Sequence, residues 1–370
     1  MKRHRVHFLT NEPQITKRFG AAVSLHSHTD RSREGFTGIQ KYAEESFLIR
    51  MAVTRVSSKY RQLLGSDLDY PRAYFVPPLS PPNAYRLEAA QIEAMDLAPM
   101  VSITDHDNID GSHQLQAFVD PETVPVSLEW TVPFGSSYFH VGVHNLPADR
   151  ATEIVEGLTG VQCTYCSHSK ISCVGGHGTQ CFPRVHEWLE ELSAIPETLI
   201  VLNHPLWDVS GIGETAHREL LSLFLKRYGD WIHALEVNGL RCWQENRDVM
   251  EIAERAGLPV ISGGDRHGVE ANGVVNLTAA ETFSEFAREI RADKKSVILF
   301  LRQYQHPLLL RKLRVAWDVL KSSEGENGDR TRWKDRIFLP WLDGRVLPLS
   351  SHEWSATLAS DGSQTFTLAR

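Results

Sequence analysis

Ala21-Ala22-Val23-Ser24-Leu25-His26-Ser27-His28 is a short run of small and apolar residues that leads straight into two histidines, the pattern of a buried strand ending on chemistry. The same pattern recurs along the chain. Met100–Thr104 leads into Asp105-His106-Asp107 and Val124–Leu128 into Glu129, while Tyr138–Val143 holds His140 and is followed by His144. Leu199–Leu202 leads into Asn203-His204-Pro205, Ile232–Val237 holds Glu236 before Asn238, and Pro259–Ser262 leads into Gly263-Gly264-Asp265-Arg266-His267. Helical patterns lie between many of these runs, at Ile39–Leu64, Asn83–Leu97, Pro183–Leu192, Thr215–Tyr228, Asn246–Ala256 and Glu281–Arg291. Such alternation predicts an α/β protein with a mainly parallel sheet, and seven strands favour closure like a barrel.

Composition narrows the function classes. The 370 residues carry 39 Lys and Arg against 46 Asp and Glu, a formal charge of −7 that offers no general attraction for a polyanion. No stretch of about 18 apolar residues occurs, and Met1-Lys2-Arg3-His4-Arg5 is not followed by an apolar signal core, so no membrane contact is expected and a cytoplasmic location is the default. Five cysteines are too few for a disulfide scaffold in a chain of this length.

In a parallel barrel the strand ends open onto one face, so polar residues scattered from residue 26 to residue 267 can converge there. Residues two apart on an extended segment project to one side, which lets His26 and His28 share an ion, as Asp265 and His267 could. A buried His or carboxylate is costly unless it is paired or bound to metal, and so many at strand ends point to a metal centre.

His-x-His, Thr-Asp-His-Asp, a later Glu, Asn-His-Pro and Gly-Gly-Asp-x-His occur here in the order seen in the PHP (polymerase and histidinol phosphatase) phosphoesterases, and residues 20–295 resemble that family. The resemblance implies a distorted seven-stranded (β/α)7 TIM-like barrel over residues 1–300, with a C-terminal extension over 301–370. It implies two or three divalent ions (Mn, Zn or Fe). Carried over by position, His26, His28, Asp265 and the bridging Glu129 would hold a first ion, and His140 and His204 would complete a second. His106 and His267 match ligands of a third. The third ion's remaining ligand departs from the pattern: Ser32-Arg33-Glu34-Gly35 stands where the family has Ser-Asp-Gly, which makes Glu34 the candidate.

The expected activity is hydrolysis of a phosphomonoester or phosphodiester by a metal-activated hydroxide, with a phosphorylated small molecule or a nucleotide or nucleic-acid end as substrate. Arg266 and Arg241 are candidate phosphoryl-oxygen donors. Asp105 and Asp107 are expected to orient imidazoles, Glu236 and Asn238 to do likewise or to line the rim, and His144 to be structural. An amidohydrolase-type C–N or C–O hydrolase is the competing enzyme reading, although Glu129 stands where that class uses a carboxylated Lys. A non-catalytic, metal-stabilised binding module is the other alternative. Two insertions are expected. Residues 39–82 bring Arg50, Arg55, Lys59 and Arg61, which are either a solvated face or a phosphate-attracting one. Residues 160–182 bring Cys163, Cys166, Cys173, His177 and Cys181, which are either a structural zinc site or a reduced-thiol loop. The tail after residue 300 reads as a packing extension with no chemistry of its own.

Overall fold

The computed structural model describes residues 4–36, 47–160, 181–321, 323–324, 330–341 and 343–351. Its strands are β1 (His4–Phe8), β2 (Ala21–Ser27), β3 (Glu34–Gly35), β4 (Tyr74–Phe75), β5 (Ala98–Ile103), β6 (Val126–Phe134), β7 (Ser137–Leu146) and β8 (Leu199–Leu202). They continue with β9 (Ala234–Asn238), β10 (Val260–Gly263), β11 (Val274–Thr278), β12 (Ser296–Phe300), β13 (Ser323–Glu324), β14 (Arg330–Thr331), β15 (Ile337–Pro340) and β16 (Val346–Pro348). The helices are α1 (Phe47–Leu64), α2 (Pro81–Glu93), α3 (Asp110–Gln116), α4 (Ala151–Gly160), α5 (Cys181–Ala194), α6 (Glu214–Tyr228), α7 (Trp243–Ala256), α8 (Phe283–Arg288) and α9 (Leu308–Leu320). Among the described residues no helix is long and apolar enough to cross a membrane.

The single seven-stranded barrel is overturned. Two five-stranded sheets form instead, in the orders β1-β12-β11-β2-β5 and β10-β9-β8-β7-β6. Both are mixed: β11 runs antiparallel to β2 and β12, and β7 antiparallel to β6 and β8, while β1–β12, β2–β5, β8–β9 and β9–β10 are parallel. The difference has a physical cause. Val274–Thr278 and Ser296–Phe300 are apolar runs absent from the seven expected strands; the first takes the hydrogen-bonding edge of β2 that ring closure would need, and the second pairs with the first. Between the sheets the backbone meets only in short seams. Gly264 N–H donates to Leu25 O at 2.9 Å and His28 N–H to Arg266 O at 3.0 Å, with single bridges Ser27–Arg266 and His106–Glu129.

The largest core lies under the second sheet, where Trp130, Phe139, Phe224 and Tyr228 are buried together, and Trp130 Nε1 donates to Leu158 O at 3.1 Å. Helix α7 shows why such segments fold as they do. The Sγ of Cys242 accepts from Glu245 N–H at its start, Asn246, Val249 and Ala253 form its buried stripe, and Gly257 ends it in the left-handed region at φ 72°. A smaller sheet, β16-β15-β4-β3, ties the Pro-rich connection to the tail: Val76 N–H donates to Arg336 O at 2.9 Å, and the Tyr74 and Phe338 rings stack at 4.6 Å. Residues 161–180, with Cys163, Cys166, Cys173 and His177, lie outside the described residues, as does the side chain of Cys181. The expected helix at Ile39–Leu64 is described from Phe47 onward; there Arg61 is exposed and donates to Asp67 Oδ1 at 2.6 Å.

Candidate metal centre

The segments that carry the candidate ligands lie at the seams, where strand regularity ends. His26, Asp107, His204 and Asp265 all have left-handed backbones, with φ of 63°, 54°, 27° and 56°. Non-glycine residues adopt this region at a cost of about 1–3 kcal/mol, a strain that concentrates at functional sites. At His26 this overturns the simple alternation expected from the sequence. The β2–β5 register shifts between Ser24 and Ser27, and the imidazoles of His26 and His28 meet at 5.1 Å between centroids through the bend rather than by facing one side of a flat strand.

Glu129, fully buried on β6, is the hub. Its Oε1 lies 3.2 Å from His26 Nε2, 3.3 Å from His140 Nδ1 and 3.2 Å from His204 Nε2; its Oε2 lies 3.4 Å from His28 Nε2 and 3.3 Å from His106 Nε2. Asn203 Nδ2 donates to Oε1 at 3.0 Å and fixes the carboxylate. Asp265 Oδ1 closes one side at 3.7 Å from the Nε2 atoms of His26 and His28. On the other side Glu34 Oε2 lies 3.0 Å from His267 Nε2 and 3.2 Å from His106 Nε2, while Ser32 Oγ donates to Oε1 at 2.5 Å. Glu34 reaches this place on β3, whose pairing with β4 sets Glu34 opposite Phe75.

Four overlapping groups therefore have ligand atoms within 4.8 Å of one another: His28, Glu34, His106 and His267; His26, His28 and Asp265; His26, Glu129 and His204; and His106, Glu129 and His140. The donor set fits divalent cations, since imidazole and carboxylate suit Mn, Zn and Fe. An observation independent of donor type agrees: His26 Nε2, His28 Nε2 and Glu129 Oε2 are buried without a hydrogen-bond partner, and the two imidazole nitrogens face Glu129 oxygens at 3.2 and 3.4 Å. Left so, such atoms cost about 1–3 kcal/mol each.

Electrostatics tell the same story. Burial pushes Glu129 up, but His26, His140 and His106 outweigh it and hold the carboxyl well below its usual range. Glu34 and Asp265 behave alike: burial opposes, and His267 leads the neighbours that hold them low. Burial lowers His28 and His140 to about 4. His106 is raised to about 9, because Glu34 and Glu129 overcome its burial.

Surrounding groups hold the candidate ligands. Glu236 accepts from His26 Nδ1 at 2.6 Å through Oε1, leaving Nε2 to face the cluster, and from His204 N–H at 2.7 Å through Oε2. This orienting role was expected of Asp105 and Asp107 first, with Glu236 and Asn238 as similar candidates. Instead Asp105 accepts from Thr29 N–H at 2.6 Å and Thr29 Oγ1 at 2.7 Å, and is pushed up to about 7 by burial, while Asp107 Oδ1 accepts from Thr131 N–H at 2.8 Å. Gly263 is required beside Glu236, because a Cβ there would overlap its carboxylate. His144 is buried with Nδ1 2.8 Å from Ser102 Oγ and belongs to none of the four groups.

The two arginines separate. Arg266 is 3% exposed; its Nε lies 2.9 Å from Glu88 Oε1, and its guanidinium donates to Gly268 O at 2.9 Å and His28 O at 3.1 Å, so it braces backbone rather than facing a substrate. Arg241 sits beside the cluster, its Nη2 3.5 Å from Asp265 Oδ2 and its guanidinium 4.0 Å over the Trp207 ring. Sequence reading missed Glu88, Asn203 and Trp207. Glu88 had left a signal, a charge on the buried face formed by Ala84, Ala89 and Ile92.

No family model matches the chain, and no curated protein matches it. Among solved structures, PsfC of Pseudomonas syringae is similar with a TM-score of 0.39, at 15% identity over 64% of this chain and 88% of that one. An amidohydrolase of Chromobacterium violaceum, with bound sulfate and no metal, gives a TM-score of 0.33 at 15% identity over 53% and 86%. A candidate metal-dependent phosphoesterase of Bifidobacterium adolescentis gives 0.34 at 17% identity over 58% and 91%. Likenesses this low carry no argument about the fold or activity of this chain.

Proposed function

We propose that this chain is a metal-dependent phosphoester hydrolase holding two or three divalent ions. The observation that carries the reading is Glu129, whose two oxygens face five imidazoles at 3.2–3.4 Å in a fully buried setting, the arrangement of a carboxylate shared between cations. His26, His28 and Asp265 would hold one ion with Glu129, His140 and His204 a second, and Glu34, His106 and His267 a third. When bound, such ions supply positive charge to the phosphoryl oxygens and lower the pKa of water toward about 7.

The protein's own groups do the rest. Glu236 fixes the tautomer of His26 and so points its Nε2 inward. Asn203 keeps Glu129 from rotating. Arg241 is the cation at the rim, placed to receive phosphoryl oxygens beside Asp265. Asp105 and Arg266 shape the Thr29 and His28 backbone and have no direct part.

Turnover of an aryl phosphate against its bis-aryl diester, with Mn²⁺ supplied, tests the reading and separates monoesterase from diesterase. His26→Ala with His28→Ala is expected to remove both metal and turnover; full activity in that double variant, or no hydrolysis of either ester by the metal-loaded chain, would sink it.

A further inference from the structure

Arg266 belongs to none of the four groups, yet it is joined to the backbone of four of their members. It stands between Asp265 and His267 in the chain; its N–H donates to His26 O at 3.3 Å, and its carbonyl accepts from His28 N–H at 3.0 Å. Its guanidinium returns to the same seam, donating to His28 O at 3.1 Å and to Gly268 O at 2.9 Å. That guanidinium is held in turn by Glu88 of α2, which is fully buried with Oε1 2.9 Å from Arg266 Nε. The carboxylate serves two more segments: Ser24 Oγ of β2 donates to Oε2 at 2.9 Å, and Asn272 N–H to Oε2 at 3.1 Å. Asn272 closes the circle through Nδ2, which donates to Leu25 O and to Ser27 Oγ at 3.1 Å each. Packing is tight here, since a Cβ on Gly264 would overlap the Asn272 carboxamide.

A buried ion pair is a poor way to gain stability. Two charges taken out of water lose hydration that their mutual attraction only roughly returns, and well-packed apolar side chains of similar volume often serve a fold as well or better. What apolar side chains cannot do is hold carbonyl groups at set angles, as a planar guanidinium fixed by a carboxylate does. The segments held here need such support. His26 and Asp265 have left-handed backbones, which persist only where the surroundings over-determine them, and the β2–β5 register breaks between Ser24 and Ser27. Resting on the metal reading above, we propose that Glu88, acting through Arg266, is the positioning residue for the side of the metal centre formed by His28, Asp265 and His267. The pair sets the geometry of these three candidate ligands, and the ions it governs are those they would hold.

The test separates stability from ligand geometry. The full chain, freed of metal by a chelator, is titrated with Co²⁺; calorimetry gives the affinity, the visible absorption of the bound ion reports the number and arrangement of its ligands, and urea denaturation gives the stability. In the Glu88→Met/Arg266→Met double variant, apolar side chains replace the pair, so stability should recover relative to either single variant. Co²⁺ should nevertheless bind about 10–100-fold more weakly than in the parent, with altered absorption bands, because the groups that orient the ligands are gone. A merely structural pair predicts otherwise: affinity and bands return together with stability. Co²⁺ affinity within twofold of the parent and unchanged bands in the double variant therefore overturn the proposal. Should that variant fail to fold, Glu88→Gln keeps the volume and one acceptor oxygen and carries the same comparison, with weakened binding and shifted bands expected and parent-like values refuting. A parent chain that binds no Co²⁺ defeats the metal reading and this proposal together, whereas parent and double variant binding it equally well defeat this proposal alone. Co²⁺ bound by the parent without turnover of either ester defeats the hydrolase reading, and the comparison of variants still decides the role of Glu88.

Discussion

Replacing Glu236 by Gln leaves shape and volume almost unchanged, so its effect on the metal centre follows from hydrogen bonding and from the lost charge beside His26. The carboxylate accepts on both oxygens, from His26 Nδ1 at 2.6 Å and from His204 N–H at 2.7 Å, and also takes Asn238 Nδ2 at 3.1 Å. A carboxamide accepts on one side only, so its NH₂ must face either the imidazole N–H or the backbone N–H. Hydrogen bonds to a charged group contribute about 1.5–3 kcal/mol, and loss of an orienting partner lowers metal affinity about 10–100-fold. Glu236→Gln is therefore expected to weaken Mn²⁺ binding by that factor, read by calorimetric titration of the metal-free chain. Gly263→Ala should reproduce it from the opposite direction, because its Cβ would displace the same carboxylate. Mn²⁺ affinity within twofold of the parent in Glu236→Gln, with unchanged stoichiometry, would refute the claim that Glu236 aims His26 at a metal.

Further outcomes follow from other sites. Glu34→Gln should lower metal content by one ion per chain, measured by plasma mass spectrometry, while the groups around Glu129 stay loaded. Arg266→Met strands the fully buried Glu88 and should cost about 3–5 kcal/mol in urea denaturation, whereas Glu88→Met with Arg266→Met should cost less than the single change. Mn²⁺ at about 1,000 times its Kd should raise stability by about 4 kcal/mol, seen as a higher melting midpoint that a chelator reverses. His233 is lowered to about 3, first by burial and then by Arg291 and Lys294, and its Nδ1 accepts from Ile200 N–H at 3.0 Å. Its stabilising share is present above the unfolded value near 6.5 and is lost as pH falls from there toward about 3, where only the unfolded chain takes up the proton. Denaturation between those limits should show a slope of at most about 1.4 kcal/mol per pH unit from this group, removed in His233→Gln.

The residues that gather in the cluster were legible because the chemistry lies in local runs. Ala21–His28 and Pro259–His267 announce both the strand and what ends it, and Glu34 was found as a departure from an otherwise regular order. Sheet closure was not legible. Whether Val274–Thr278 pairs with β2 or merely links two helices depends on partners hundreds of residues away, and period-two apolar runs look alike in either role. The fate of Arg266 was hidden for a similar reason: its partner Glu88 is a helix residue 178 positions earlier, and only the packing of α2 against the first sheet turns the guanidinium inward.

The small sheet has a consequence for synthesis. Glu34 stands on a two-residue strand that is joined through Tyr74–Phe75 to Ile337–Pro340, near the far end of the described chain. A ribosome will have made His26, His28, Glu129 and Asp265 well before residue 337 emerges, so the nascent protein can gather the Glu129 hub while Glu34 still lacks its final support. Long-range pairing of this kind closes late and slowly. On the proposed reading, the Glu129 groups can load before the tail has docked against the strand that backs Glu34.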